Sequence, residues 1–402
     1  MIDEKIISLC EKKLKKQFNL IEEIALYNQE KVLKCFQKNR IALRHFAGSS
    51  GYGYGDEGRD TLNQLFADVF RCESGICSPN IVSGTHALSL ALYGVLKRGD
   101  LCLSITGEPY DTLSEVIHGK DNGSLEDYGV CFKSIELKND KIDKTQIRKF
   151  IKKQMPTAIY MQRSRGYAWR SALSINEIEN AINFVKSLGF NGVVILDNCY
   201  GEFLDKREPT EVGVNVMAGS LIKNPGGGVA PTGGYIVGDK KYVDKILCRM
   251  TAPSIAGEVG SYLPGYQYYY QGIFLAPHSV SQAVKGAMLF SAVLSELGYE
   301  TLPKLNQTPN DIITSIKFND KDKLIKFIQG IQKNSPIDSY VDLMPWDMPG
   351  YADPVIMAAG CFVQGSSLEL SADAPVKPPY IAYMQGGLTY EHCKIALKNV
   401  EI

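Results

Sequence analysis

Residues 193–198, Val193-Val194-Ile195-Leu196-Asp197-Asn198, decide how this chain folds. Four consecutive aliphatic residues without polar alternation read as a strand covered on both faces, the pattern of parallel sheets flanked by helices. Asp197 then stands at the C-terminal edge of that strand, where open α/β sheets bind ligands; the competing reading is an Asp that caps the following turn. Working outward, short apolar runs recur at Asn80–Val82, Leu101–Ile105, Ala158–Met161, Val216–Leu221 and Tyr235–Val237. Between them lie helix-period segments. Leu62, Leu65, Phe66, Val69 and Phe70 mark one, and Leu88, Ala91, Leu92, Val95 and Leu96 mark another. Strands alternating with helices predict an α/β chain built on a mainly parallel sheet.

Two flanking regions differ from this body. From Asp3 to Arg44, residues Ile7, Cys10, Leu14, Phe18, Ile21 and Ala25 share one helical stripe, with Lys12, Lys13, Lys15 and Lys16 on the solvated side. This predicts a helical arm that packs on the body or on a partner subunit. Thr251 to Pro277 is rich in Gly, Pro and Tyr and reads as a connection to a long helix from Val280 to about Leu297. A helix near Lys321–Ile331, strands at Cys361–Val363, Leu368–Leu370 and Ile381–Met384, and a helix at Thr389–Asn399 predict a smaller α+β unit. The expected organisation is an arm over 1–50, a large α/β domain over 51–275 and a C-terminal α+β domain over 276–402 that packs with the arm. A chain of 402 residues accommodates this, at roughly 150 residues per domain.

Composition narrows the function classes. Forty-four basic against 44 acidic residues give no net charge, which argues against a nucleic-acid or membrane-surface binder. No apolar run approaches the ~20 residues that span a bilayer. The opening MIDEKIISLCEKKLKK lacks the apolar core of a secretory signal, so a cytoplasmic protein is expected. The 10 cysteines form no CxxC pair and the 5 histidines no HExxH or HxH array, so no metal site is expected.

Three further segments carry chemistry-bearing residues. Ser220-Leu221-Ile222-Lys223-Asn224-Pro225 follows an apolar strand and precedes Gly226-Gly227-Gly228. A lysine in such an apolar, glycine-rich setting can lose its proton and act as a nucleophile; the alternative is a surface lysine in a loop. A phosphate-binding P-loop does not fit, because GGGVAPTGG has no GK[ST] and precedes a strand. Ser83-Gly84-Thr85-His86 opens a helix, where free N–H groups and the helix dipole favour a phosphate, although a simple helix cap reads equally well. Gly107-Glu108-Pro109-Tyr110 places an aromatic ring after the Leu101–Ile105 strand, as a ligand-stacking ring or as a packed turn residue.

A phosphate cradle, a ring, a carboxylate and a lysine, in that chain order, resemble the fold-type I pyridoxal-phosphate enzymes. The segments SGTHA, LDNCYGEF and SLIKNPGGG resemble the Cys/Met-metabolism branch. GYGYGDEGRDTL, QRSRGYAWR, ELSADAP and YMQGGLTYEH look like the methionine γ-lyase-like family, also described as aluminium-resistance or cystathionine β-lyase-like proteins. The likeness runs from about Phe46 to the C-terminus.

The resemblance implies a seven-stranded-type, mainly parallel sheet with pyridoxal 5′-phosphate held as a Schiff base by Lys223, which would then move the substrate Cα proton. Asp197 would face the pyridine nitrogen, Tyr110 would stack on the ring, and Ser83, Gly84, Thr85 and Ser220 would hold the phosphate. His86 reads as a packing or hydrogen-bonding residue. Tyr52, Tyr54 and Arg59 look similar to an element that reaches a neighbouring subunit's cofactor, which implies a homo-oligomer with shared sites: a dimer at least, with a tetramer expected. A substrate carboxylate calls for a bidentate arginine. The matching position here is Lys377, so Arg163, Arg165 or Arg170 is expected to share or take over that anchoring. The implied activity is a carbon–sulfur lyase acting on cystathionine, cysteine or methionine by β- or γ-elimination. The alternatives are an aminotransferase, a pyridoxal-phosphate-binding protein with little catalysis and, last, a nucleotide-binding module.

Overall fold

The computed structural model describes residues 2–348, 351 and 353–401. Helix α1 (Glu4–Lys38) starts at Asp3, whose carboxylate accepts the Lys5 N–H at 2.9 Å. Helix α2 (Glu57–Val69) is capped in the same way by Asp56. There follow β1 (Ser74–Ser78), α3 (Gly84–Val95), β2 (Leu101–Ser104), α4 (Asp111–His118), β3 (Cys131–Ser134), α5 (Lys144–Lys153) and β4 (Ala158–Gln162). The large sheet is completed by α6 (Ile175–Ser187), β5 (Val193–Asp197), β6 (Val216–Ser220), β7 (Gly234–Gly238) and α7 (Lys240–Met250).

These seven strands form one sheet in the order β1-β7-β6-β5-β4-β2-β3, parallel except where β7 runs against its two neighbours. Every residue of β4, β5 and β6 is buried, as the continuous apolar runs require of strands covered on both sides. Helix α8 (Gln267–Glu296) then leads to a second, antiparallel-paired sheet of five strands. It is made by β8 (Glu300–Leu302), β9 (Ile313–Lys317), β10 (Val355–Ala358), β11 (Ser371–Pro375) and β12 (Ile381–Gln385), with α9 (Lys321–Lys333) and α10 (Tyr390–Asn399) packed on it.

The α1 arm joins both cores. Ile7, Cys10 and Leu14 pack with Phe290, Phe327 and Leu397, whereas Val32 and Cys35 belong to the core beneath the large sheet. Lys12, Lys13, Lys15 and Lys16 are exposed, as expected for the solvated side. Lys31, nearly fully buried, forms an ion pair with Glu208 and fastens the arm to the body.

The structure corrects several sequence expectations. Asn80–Val82 is a turn, closed by the Ile81 N–H on the Ser78 carbonyl at 3.3 Å; the strand is β1, immediately before Pro79, which lacks a ladder donor. Cys361–Val363 and Leu368–Leu370 are not strands. The Glu369 carboxylate accepts the N–H groups of Phe362 and Val363 at 2.8 and 2.9 Å, so a side chain satisfies backbone that a ladder would otherwise hold. The tyrosine-rich connection ends at Gln267, because Tyr269 and Tyr270 are buried in the first turns of α8, and Pro277 is accommodated inside that helix. The expected domain boundary at 276 therefore falls within one continuous helix. Strand β3 escaped notice because only Phe132 of its four residues is buried.

Candidate functional site

Strands β5 and β6 are parallel neighbours, and their C-terminal ends carry Asp197 and, just beyond, Lys223. Asp197 is 3 % exposed and accepts the Cys199 N–H at 2.9 Å. Burial raises its pKa above the ordinary carboxylate value, opposed by the Lys223 charge and the Cys199 hydrogen bonds. For Lys223, burial works against the ammonium, but Cys199, Tyr200 and Asp197 together hold its pKa above the ordinary lysine value. The Lys223 Nζ lies 4.0 Å from the centre of the Tyr200 ring, a cation–π contact that fixes the amine over one face.

The segment expected to cradle a phosphate opens α3. The Ser83 hydroxyl caps the helix by accepting the His86 N–H at 3.0 Å, leaving the Gly84 and Thr85 amides without partners inside the helix. Space at Gly84 is tight. A Cβ at that position would come 3.2 Å from the Ser220 Cβ and 3.5 Å from the Cys199 Sγ, which places the cradle directly beside the ends of β5 and β6. His86 has the packing role expected of it: its Nδ1 accepts the Val82 N–H at 3.2 Å, and burial lowers its pKa.

Tyr110 is set by two contacts. Its N–H donates to Gln162 Oε1 at 3.1 Å, and its hydroxyl lies 3.0 Å from Thr85 Oγ1. Gln162 is the register partner of Asp197 on β4, so the ring is anchored to the same strand ends as the carboxylate. Asp197, Lys223, Tyr110, Gly84, Thr85 and Ser220 thus converge from separate segments.

Pyridoxal phosphate fits these residues. A buried carboxylate with a single backbone donor can take a protonated ring nitrogen, the glycine-walled helix start offers amides to a phosphate, and a half-buried lysine follows the end of the adjacent strand β6. Tyr110 supplies an aromatic face at the same edge.

The remaining expected residues are placed differently. Tyr52 and Tyr54 are 71 and 67 % exposed, with ring centres 5.5 Å apart, while Arg59 is buried and donates to the Gly53 carbonyl at 3.0 Å and to Asp60 at 2.8 Å. The three do not join the Lys223 cluster of their own chain. Lys377 is exposed and pairs with Asp353 at 2.5 Å.

Arg163 and Arg165 are likewise engaged by the protein itself. Arg163 donates to the Leu173 carbonyl at 3.1 Å, Asn198 Oδ1 at 2.9 Å and the Gly201 carbonyl at 2.6 Å, bracing the loop after β5 from below. Gly201 fits there because a Cβ would lie 2.5 Å from the guanidinium. Arg165 makes a buried bidentate pair with Asp311, both bonds 3.1 Å, and also donates to Ser315 on the second sheet at 3.2 Å. Both carry their charge in low-dielectric surroundings where the anions and carbonyls already present satisfy them. Arg170 donates to the carbonyls of Gln162 and Ser164 at 3.2 and 2.6 Å, and burial lowers its pKa to about 10.

The sequence reading passed over four residues at this site. Cys199 and Tyr200 lie inside LDNCYGEF, Tyr167 inside QRSRGYAWR and Asp373 inside ELSADAP; each segment was informative as text, but nothing in the spacing told which side chain turns toward the lysine. Tyr200 adopts a positive φ of 70°, which aims its ring under Lys223.

Comparison with known proteins agrees with this geometry. The chain is 50 % identical over 381 residues to the uncharacterized protein YnbB of Bacillus subtilis (strain 168), covering 94 % of this chain and 90 % of that one. A carbon–sulfur lyase involved in aluminium resistance from Clostridium novyi NT is 49 % identical, with a TM-score of 0.93 over 99 % of this chain and 95 % of its own. A candidate cystathionine β-lyase involved in aluminium resistance from Clostridium acetobutylicum is 48 % identical, with a TM-score of 0.95 over 99 % of this chain and 95 % of its own. At 14 % identity and a TM-score of 0.63, the pyridoxal-phosphate-dependent protein YhfS of Escherichia coli shares the fold, which is fold type I. A family model described as methionine γ-lyase matches residues 3–401, and the chain belongs to that family.

Proposed function

We propose that this protein is a pyridoxal-phosphate-dependent carbon–sulfur lyase that cleaves a sulfur amino acid of the cystathionine, cysteine or methionine type by β- or γ-elimination. The observation that carries the reading is the pairing of Asp197 and Lys223 at the ends of adjacent parallel strands, with the Lys223 amine seated on the Tyr200 ring. Family membership supports lyase chemistry in general.

When bound, the cofactor supplies an electron sink for negative charge at the substrate Cα. Asp197 holds the proton on the ring nitrogen, and burial strengthens that interaction by excluding water. Lys223 Nζ holds the cofactor and moves the Cα proton, and its contact with Tyr200 keeps the amine on one face. Tyr110 closes the other side, oriented through Thr85 and Gln162. The amides of Gly84 and Thr85 with Ser220 bind the phosphate.

We assign Tyr52, Tyr54 and Arg59 to the site of a neighbouring subunit. The reading is supported by two large aromatic rings left exposed beside a buried arginine, and a site completed in this way needs at least a dimer.

The test is the absorbance spectrum of the purified protein before and after borohydride reduction, with mass mapping of the modified lysine. A cofactor fixed on Lys223, with thiol and ammonia released from a sulfur amino acid, supports the proposal. A protein that stays colourless when pyridoxal phosphate is added overturns it, and return of the amino group to a second keto acid would make it an aminotransferase.

A further inference from the structure

One titratable group beside the site has no part in the chemistry above. Asp373 lies on β11, where it pairs in register with Tyr383 of β12. Its Oδ2 accepts the Tyr167 hydroxyl at 2.7 Å, while its Oδ1 is shielded from solvent and has no hydrogen-bond partner among the described residues. Its surroundings bring it near the Tyr110 and Lys223 cluster. Tyr167 follows Gly166, whose Cβ position lies 3.9 Å from the Tyr110 Cβ. The Tyr167 ring packs against Tyr383 at 5.1 Å and Tyr351 at 5.9 Å, and the Tyr383 hydroxyl donates to the Tyr167 carbonyl at 2.5 Å. Asp373 also feels the Lys223 charge, and burial raises its pKa to about 6 despite that charge and the tyrosine bond.

A carboxylate oxygen held out of water without a partner is costly unless the ligand supplies a donor. A neutral thioether or a methyl group leaves it unsatisfied. An ammonium satisfies it, and the charge-assisted bond is about twice as strong as a neutral one. The aromatic wall of Tyr167, Tyr351 and Tyr383 suits a cation flanked by methylene groups equally well.

We propose that Asp373 is a specificity-determining residue of the substrate pocket, selecting sulfur amino acids whose side chain carries a second ammonium beyond the sulfur. The proposal rests on the lyase reading for its substrate class, and on the unpaired Oδ1 for its direction. Tyr167 acts as the positioning residue that keeps the carboxylate turned toward the ligand.

The test compares ligands that differ by one ammonium. Calorimetric titration of the holoenzyme with 2,7-diaminosuberate, which contains no sulfur to eliminate, is set against 2-aminosuberate. The wild-type protein is expected to prefer the diamino ligand by about tenfold or more, and Asp373→Asn, which can still accept the Tyr167 hydroxyl, to lose that preference. In kinetics, the ratio of kcat/KM for cystathionine to that for S-methylcysteine should fall by a similar factor in the variant. An unchanged binding ratio, or an equal loss for both ligands, overturns the proposal. A wild-type protein that eliminates from no sulfur amino acid instead overturns the lyase reading, and the binding ratio still decides the role of Asp373.

Discussion

The Lys223 amine rests 4.0 Å above the Tyr200 ring, and Tyr200 is itself held by a left-handed backbone and by its hydroxyl, 3.1 Å from Ser367 Oγ. A residue three positions beyond the end of β6 is thus oriented by one three positions beyond the end of β5, which in turn is tied to the loop before β11. Three segments distant in sequence set the direction of one nitrogen. The amine is the group on which the proposed chemistry depends most.

Lys223→Ala is expected to abolish the borohydride-fixed adduct and to lower elimination by about 10²–10⁴-fold or more, with far-UV circular dichroism unchanged. Asp197→Asn should retain bound cofactor yet lose much of kcat, because an amide cannot hold the ring-nitrogen proton. A variant at 197 with wild-type kcat would remove the carboxylate from the mechanism.

Gly84→Ala should weaken the cofactor without unfolding the protein. The added methyl group reaches within 3.2 Å of the Ser220 Cβ and narrows the cradle that the phosphate needs. Equilibrium dialysis against pyridoxal phosphate is expected to give a Kd raised by at least tenfold, about 1.4 kcal/mol. An unaltered Kd would place the phosphate elsewhere.

Arg165→Ala is expected to cost stability rather than substrate affinity. It leaves Asp311, 1 % exposed, without its bidentate partner, a loss of about 3–5 kcal/mol for a broken buried pair. Asp311→Ala should behave alike, and the double variant should lose less than the sum of the two. A raised KM with an unchanged melting temperature would instead restore Arg165 as the carboxylate anchor.

Glu202 links stability to pH. It is fully buried, its Oε1 accepts the Tyr235 hydroxyl at 2.7 Å, its Oε2 has no partner among the described residues, and burial raises its pKa to about 8 from 4.5. The folded state therefore binds the proton more tightly than the unfolded chain. The stabilisation is complete below the unfolded pKa and is lost as pH rises toward 8, with a slope of up to about 1.4 kcal/mol per pH unit. Glu202→Gln is expected to flatten the dependence of denaturant midpoint on pH between about 5 and 8. A wild-type midpoint that rises across that range would contradict this sign.

Mixing two inactive variants tests the shared site. If Arg59 completes the partner's pocket, Lys223→Ala and Arg59→Ala subunits exchanged in solution should recover on the order of a quarter of wild-type activity, since half the dimers are hybrid and each has one intact site. No recovery after demonstrated subunit exchange would confine Arg59 to its own chain, where it already binds the Gly53 carbonyl.

Much of the fold was legible because the interior strands carry their burial in their composition. Val193–Leu196 and Ala158–Met161 are apolar throughout, and both are strands buried on every residue. Edge elements were less legible. Strand β3 buries only Phe132, and β11, Ser371–Pro375, has no apolar run, since its small and acidic residues are held by neighbours on either side.

The same division holds at the site. Asp197, Lys223 and the Ser83–Thr85 helix start could be read locally, because a residue at a strand end or a helix start takes its direction from the element itself. The arginines could not. Residues 163, 165 and 170 look equally able to bind a carboxylate in sequence, but only the folded chain decides that Asp311, Asn198 and backbone carbonyls reach them first. Asp373 is the converse case, a residue in a short strand whose contact with the Tyr167 hydroxyl joins segments about 200 residues apart and exists only in the folded chain. Backbone preference and hydrophobic pattern act within a few residues along the chain, whereas the pairing of a charge depends on what lies within a few ångströms in space, and that is settled only by tertiary packing.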